Sequence, residues 1–463
     1  MNKKLDTKLV MAIIATGLMS FCGVLIETAG NITFPVLMRE FHVNMATVQW
    51  MTTCYLLMAA IIMPLSAYFK KNFAKRKLFF IAALLFLLGL IIDASATNFI
   101  LLVSGRALQG AATGIALPLM FNIILEQAPS NKIGLLMGIG TMITAVAPAL
   151  GPTFGGLVVN SLGWRYIFIF IIPIIIIALI LGIIFIKNID QQSLKRTKLD
   201  LHGFISIALS FAGLIISFSN LATIQQQPVK FILPLILGVI CLLYFSRHEL
   251  KTNQPLINIR LLQEKQFTQG LSAYFLFQIN TLGLSFILPN YVQLVNHQTA
   301  MIAGLLVLPG GALGAICSPI SGRLLDQYGA RKPILIGATL EIISSLLFSI
   351  FATNLTSTKI ALFYGLTMLG IGLIMGNIMT HSLSLLPTTQ NADGNTLFNM
   401  MQQFAGATGT AVISAIMQLV QQKSTATLAT NKTIAGARAA LIVLVVVVFV
   451  GIYLLHKATC TKK

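Results

Sequence analysis

Three ionisable residues, Glu27, Arg106 and Glu341, stand inside long apolar segments of this chain. Only twelve Asp and Glu occur in 463 residues. Most fall in loops or near the edges of apolar segments, where Asp93 and Glu126 are placed. A charge in hydrocarbon is costly unless it is paired, hydrated or neutralised, so an embedded ionisable residue is a functional candidate. A carboxyl group in apolar surroundings favours its neutral form. Such a group can take a proton from one side of a membrane and release it to the other. A cationic or polar ligand competing with that proton would couple the two movements. Glu27 lies about 18 residues into its segment, roughly 27 Å along a helix, in the outer half of a bilayer. It is read as a coupling site or as a structural hydrogen-bond partner. Glu341, followed by Ile342, Ile343, Ser344 and Ser345, either couples or contacts substrate, or meets only neighbouring helices. Arg106 requires a carboxylate or several carbonyls beside it, and a structural clamp remains open for it.

Further polar residues interrupt the apolar runs. Asn31, Gln278, Asn280, Asn399, Gln402 and Gln403 offer donors and acceptors, and Phe275, Phe277, Phe398, Met400 and Met401 offer soft apolar surface. Flexible Met and aromatic walls suit ligands of varied shape, although interhelical hydrogen bonds would use the same polar residues. Gly151-Pro152-Thr153-Phe154-Gly155-Gly156 provides small residues for close helix approach and a proline that bends a helix.

These residues are carried by fourteen apolar segments. They lie near 10–34, 46–69, 78–96, 99–124, 133–159, 165–187, 200–222 and 230–246, then 267–294, 300–320, 333–353, 359–383, 396–421 and 437–457. Charged residues are 9% of the chain and mean hydropathy is +0.88. A membrane-spanning helix needs roughly 20 apolar residues. The runs are too long and too uniform for barrel strands, so an all-α polytopic membrane protein is expected.

The net charge of +19 follows topology. With the N-terminus inside, the tails and inner loops hold 23 of the 31 Lys and Arg, including Lys70, Lys71, Lys75, Arg76 and Lys77, then Lys195, Arg196 and Lys198. The outer loops are assigned seven: Arg39, Arg165, Lys230, Lys359, Lys423, Lys432 and Arg438. Positive-inside bias therefore places both termini in the cytoplasm and leaves no case for a nucleic-acid surface. Lys3, Lys4 and Lys8 precede a stretch too long for a cleaved signal. The five cysteines (Cys22, Cys54, Cys241, Cys317 and Cys460) have no metal-ligand spacing and read as free thiols.

An internal repeat organises the chain. Pro35 is followed 41 residues later by Arg76, and Pro289 is followed 42 residues later by Arg331. The copies are offset by about 254 residues, which carries Pro152 and Gly155 onto Gly406 and Gly409. The expected organisation is an N-terminal six-helix half over 1–187, a linker with two extra helices over 188–266, and a C-terminal six-helix half over 267–463. Parallel repeats that rock around a midplane site are a transporter design.

The motifs resemble the major facilitator superfamily, specifically the fourteen-span drug:proton antiporter family of the EmrB/QacA type near its lincomycin-resistance branch. Thr28, Asn31 and Pro35 match its first-span pattern, with Ile26 at the family's aspartate position and the acid displaced to Glu27. Arg106-Ala107-Leu108-Gln109-Gly110 matches R-x-x-Q-G. Gly151, Pro152, Gly155 and Gly156 match the antiporter motif, with Ala147 replacing its first glycine. Gly322, Asp326, Gly329 and Arg331 complete a gating-loop motif after span ten. Its counterpart after span two is degenerate, with Lys71 and Ala74 at the acid and glycine positions. The resemblance implies a proton-relay role for Arg106, closure of the span-five glycine face against the C-terminal half, and an inner gate braced by Asp326 and Arg331. A purely topological role is the alternative for that last pair.

The chain shows no P-loop, no His-Cys metal set and no extramembrane domain large enough for chemistry, so an enzyme is not expected. The expected function is a monomeric proton-coupled exporter of amphipathic or antibiotic-like small molecules in a bacterial cell membrane. It would use protons as the coupling ion and no cofactor. A facilitator or importer of a metabolite or lipid-like compound on the same fold is the alternative, and a membrane-embedded sensor or scaffold is the third class.

Overall fold

The computed structural model describes residues 6–129, 133–187, 198–252, 255–387, 390–424 and 428–459. Lys3, Lys4, Lys195, Arg196 and Cys460 lie outside them. Fourteen long helices account for the fourteen segments: α1 Thr7–Ile32, α2 Met45–Leu65, α3 Lys75–Ala94, α4 Phe99–Gln127, α5 Ile133–Ser161, α6 Arg165–Phe185 and α7 Leu201–Ser219. The others are α8 Pro228–Lys251, α9 Lys265–Leu294, α10 Ala300–Tyr328, α11 Arg331–Ile350, α12 Ser357–Ser384, α13 Asn391–Lys423 and α14 Ala429–Thr459. Thirteen are long and apolar enough to cross a membrane. The remaining one, α5, has 29 residues and no charged side chain.

Local chemistry sets the helix ends. Asp6, Asn98 and Asp200 cap α1, α4 and α7 by accepting from the backbone N–H groups of Lys8, Leu101 and Gly203 at 3.0, 2.9 and 3.0 Å. Lys187, just past α6, also pairs with Asp6 at 2.6 Å, tying the start of the first helix to the end of the sixth. That cation holds the Asp6 carboxyl below the usual carboxylate range.

Two segments run further as helix than hydropathy suggests. α10 continues to Tyr328, so Gly322 and Asp326 belong to its last turns and not to a loop. Only Gly329, at φ 75°, makes the turn into Arg331. That left-handed conformation favours glycine. α14 begins at Ala429, so Lys432 and Arg438 are helical and not loop residues. In both places a polar sequence extends a helix beyond its apolar run.

Helices α1 to α6 pack mainly on one another, as do α9 to α14; α5 against α10 and α2 against α13 join the two groups. The repeat offset recurs in the geometry. His42 and His297, 255 positions apart, both adopt φ 53° in the turns after α1 and α9. Asn31 donates to Ser285, its counterpart 254 residues on, at 3.2 Å. The hairpin α7–α8 lies across the seam between α2 and α13: Phe211 stacks on Phe404 with centroids 4.1 Å apart, and Gln49 donates to Ser219 at 3.3 Å. α8 is outermost and buries only Gly238, Phe245 and Glu249.

Candidate functional site

Three ionisable residues of the first six helices, Glu27, Asp93 and Arg106, converge where α1, α2, α3 and α4 meet. Arg106 is fully buried. Its Nε donates to the Met51 carbonyl at 3.1 Å, one terminal nitrogen donates to Gln109 Oε1 at 2.7 Å, and its plane lies 4.5 Å from the Tyr55 ring centroid. The other terminal nitrogen has no hydrogen-bond partner. Gln109 turns its amide toward α3 and donates to Asp93 Oδ2 at 2.8 Å. The R-x-x-Q-G spacing therefore has a local explanation. Three residues apart on one helix face, the arginine and glutamine bind in series, and a side chain at Gly110 would strike the Tyr55 backbone.

Asp93, which hydropathy placed at a segment edge, belongs to this cluster. It is completely buried, with one carboxylate oxygen unpartnered. The cause is a close crossing of α3 and α4, where a Cβ at Gly89 would lie 2.7 Å from the Gly105 carbonyl and one at Gly105 would collide with Asp93. The paired small residues Gly89 and Gly105 were the available signal. Arg106 thus has the carbonyl and, through Gln109, the carboxylate that its burial demands.

Glu27 joins this cluster from α1, within electrostatic reach of Arg106 and Tyr55. It is 6% exposed and accepts no described hydrogen bond. Along α1, Ile14 is exposed and Leu18, Phe21 and Val24 are half-buried, while Thr28 and Asn31 are closed off. Glu27 therefore sits where an accessible face of α1 ends.

In the last six helices Glu341 is fully buried and accepts from Asn280 Nδ2 of α9 at 2.5 Å. Its second oxygen is unpartnered and lies 3.2 Å from where a Cβ at Gly370 would stand. Glu341 and Glu27 occupy separate clusters and share no described contact.

The polar residues singled out by sequence divide in two. Asn31, 1% exposed, is held by Ser285 and by Thr52, which donates to it at 2.8 Å. It belongs to a closed contact among α1, α2 and α9. Gln278, Asn399 and Gln402 are half-buried, whereas Gln403 is buried. Gln402 accepts from Tyr274 at 3.0 Å and Asn399 donates to the Asn395 carbonyl at 2.9 Å. Gly322, Gly329 and Arg331 are exposed, and the side chain of Asp326 lies outside the described residues.

The span-five motif presents two faces, which corrects the single gating face expected. Gly151 and Gly155, four apart, lie against α1: a Cβ at Gly155 would stand 2.8 Å from the Ala29 carbonyl, and one at Gly151 would strike Thr28. Ala147, one turn earlier, is also fully buried. Gly156 points elsewhere and meets the Ala300 backbone of α10, while Gly304 of α10 lies on the Pro152 backbone. Residues four apart share a helix face and adjacent ones do not, so 151/155 and 152/156 serve different partners.

Among the described residues, four hydrogen-bonded pairs join the first six helices to the last six: Asn31–Ser285, Gln293–Ile32, Thr53–Thr410 and Thr153–Gly304. Three lie at the Ile32 end of α1, and Thr53–Thr410 lies nearer mid-helix. Gly156→Leu is expected to wedge this contact open. Overpacking costs about 1–3 kcal/mol, enough to shift an equilibrium between states a few kcal/mol apart. Cysteine accessibility should rise at that end and fall at the other, and unchanged accessibility at both would show that Gly156 carries no gating contact.

A sequence profile described as the Major Facilitator Superfamily matches residues 16–410. The lincomycin resistance protein LmrB of Bacillus subtilis (strain 168) is 35% identical, over 89% of this chain and 86% of its own length. A multidrug resistance protein B homolog of Mycobacterium tuberculosis (strain CDC 1551 / Oshkosh) is 27% identical, over 87% of this chain and 75% of its own. Among solved structures, a bacterial homolog of the human lysosomal transporter Spinster, inward-facing and unoccupied, superposes with TM-score 0.69 at 14% identity, covering 98% of each chain.

Proposed function

The chain belongs to the major facilitator superfamily, and from that premise we propose that it is a proton-coupled exporter of amphipathic, antibiotic-like compounds that works by alternating access. The observation that carries this reading is the pair of buried carboxylates, Glu27 and Glu341, each beside a different group of six helices. Glu27 ends an accessible face of α1, beside an arginine held by Gln109, which in turn donates to Asp93. A carboxyl in this position can exchange a proton for a ligand while the embedded charges stay balanced. The relatives' names supply the cargo class: lincomycin for one, multiple drugs for another.

Orientation follows from the basic loops, with both termini cytoplasmic. The contact through Asn31, Thr153 and Gly156 then becomes an outer seal, and the half-buried Gln278, Asn399 and Gln402 line the side open to the cytoplasm. The divisions 1–187 and 267–463 are the bodies that rock, with α7–α8 bridging their seam. A monomer suffices, protons are the only coupling ion, and the chain performs no chemical conversion on its cargo. A topology reporter fused after Lys198 or Lys457 is expected to read cytoplasm, and one inserted near Thr425, outside the described residues, should read exterior. Lys198 and Thr425 on the same side would overturn the arrangement.

Reconstitution tests the function. Inverted liposomes acidified inside should accumulate lincomycin or a lipophilic cationic dye, and collapsing the pH gradient should stop uptake. Accumulation that is indifferent to the gradient would make the chain a facilitator.

A further inference from the structure

We propose that a cleft between the outer ends of α11 and α14 is a binding site for an anionic phospholipid of the outer leaflet, with Arg438 as the phosphate ligand. The cleft is a groove open to the outside with a volume of about 500 Å³, formed by one face of α14 (Asn431, Ile434, Ala435, Arg438, Ala439 and Ile442) and by Thr353 just past α11. Arg438 is exposed on α14 and, among the described residues, has no hydrogen bond, ion pair or ring contact. Three other outer cations are engaged within the chain, whereas Lys432, a turn and a half further out on α14, shares with Arg438 the lack of a side-chain partner among the described residues. Arg165 binds Glu40 at 2.8 Å, Arg39 binds the Pro35 carbonyl at 3.2 Å, and Lys359 binds the Asn354 carbonyl at 3.0 Å over the Phe351 ring. Of the outer cations without a partner among the described residues, Arg438 is the one that lines this cleft.

Depth identifies its partner. The inner end of α14 carries His456 and Lys457. Counting roughly 20 residues outward from them, the length that crosses the hydrocarbon layer, reaches the turn containing Arg438. With the orientation proposed above, its guanidinium stands at the headgroup boundary, where a phosphodiester lies. A guanidinium fork matches two phosphate oxygens, and Asn431, two turns further out, with Thr353 opposite, can reach a hydroxylated headgroup. Toward the midplane the wall becomes Ala439 and Ile442, while Ile434 lies a turn outward between Asn431 and Arg438, so the apolar surface for an acyl chain is Ile442 and its neighbours. Attraction between juxtamembrane cations and anionic lipid favours the charged headgroup over a zwitterionic one.

The test uses the full-length protein in bilayers containing phosphatidylglycerol with a photoreactive headgroup. Cross-links are mapped by peptide, and those to the inner basic loops serve as the reference for folded protein in each sample. Wild type should label residues 431–442 or Thr353, and excess phosphatidylglycerol should compete while phosphatidylcholine does not. Arg438→Gln should lower labelling of the cleft at least about tenfold while inner-loop labelling persists, and Arg438→Lys should fall between. Labelling of the cleft in Arg438→Gln within twofold of wild type would overturn the proposal. So would equal labelling by a phosphatidylcholine analogue.

Discussion

Glu27→Gln is expected to yield a folded protein that no longer exports against a pH gradient. Glutamine has the shape of a protonated carboxyl and cannot release a proton, so the cycle halts with the site permanently in its protonated form. Folding survives because Glu27 accepts no described hydrogen bond whose loss would leave a buried donor stranded. Gradient-driven accumulation in liposomes should drop to the level of protein-free vesicles, while exchange of labelled for unlabelled substrate without a gradient continues. Wild-type accumulation in the glutamine variant would remove Glu27 from coupling and move the role to Glu341.

The second large effect concerns Arg106, and it falls on folding. Arg106→Gln leaves Asp93 buried with no cation balancing its charge. Arg106 and Asp93 are joined through Gln109 and not directly, but leaving a buried charge uncompensated costs about 3–5 kcal/mol, so the amount of protein in the membrane should fall sharply. Adding Asp93→Asn removes the stranded charge and keeps an acceptor for Gln109. The double variant should recover membrane abundance without recovering transport. Equal loss of abundance in the single and double variants would show that Arg106 and Asp93 are not energetically linked.

Asp93 also shows where hydropathy reading stops. Fourteen helices are legible because roughly twenty uncharged apolar residues leave the backbone few alternatives in a bilayer. Their ends are less so. The run Arg323 to Tyr328 is polar enough to read as a loop, yet it continues α10 until Gly329 turns the chain at φ 75°. Asp93 looks like an edge residue in a linear reading, and only the crossing at Gly89 and Gly105 seals it beside Gln109. That crossing is a property of two helices together, which no single segment records. The glycine motif of α5 announces close packing, but its partners follow from rotation about the helix: 151 and 155 turn to α1, and 156 turns to α10. Asn31 reads equally well as a ligand contact or an interhelical bond, and its placement opposite Ser285 puts it in the closed contact.

Exchange of proton for cargo is tested most directly by running the cycle from the substrate side. Liposomes containing the protein and a lumenal pH dye start with equal pH inside and out, and a gradient of lincomycin or a lipophilic cationic dye is then imposed. Protons should move opposite to the substrate, changing lumenal pH in wild type and leaving it flat in Glu27→Gln. Substrate movement in wild type with no change in lumenal pH, or with protons moving in the same direction as the substrate, would contradict antiport.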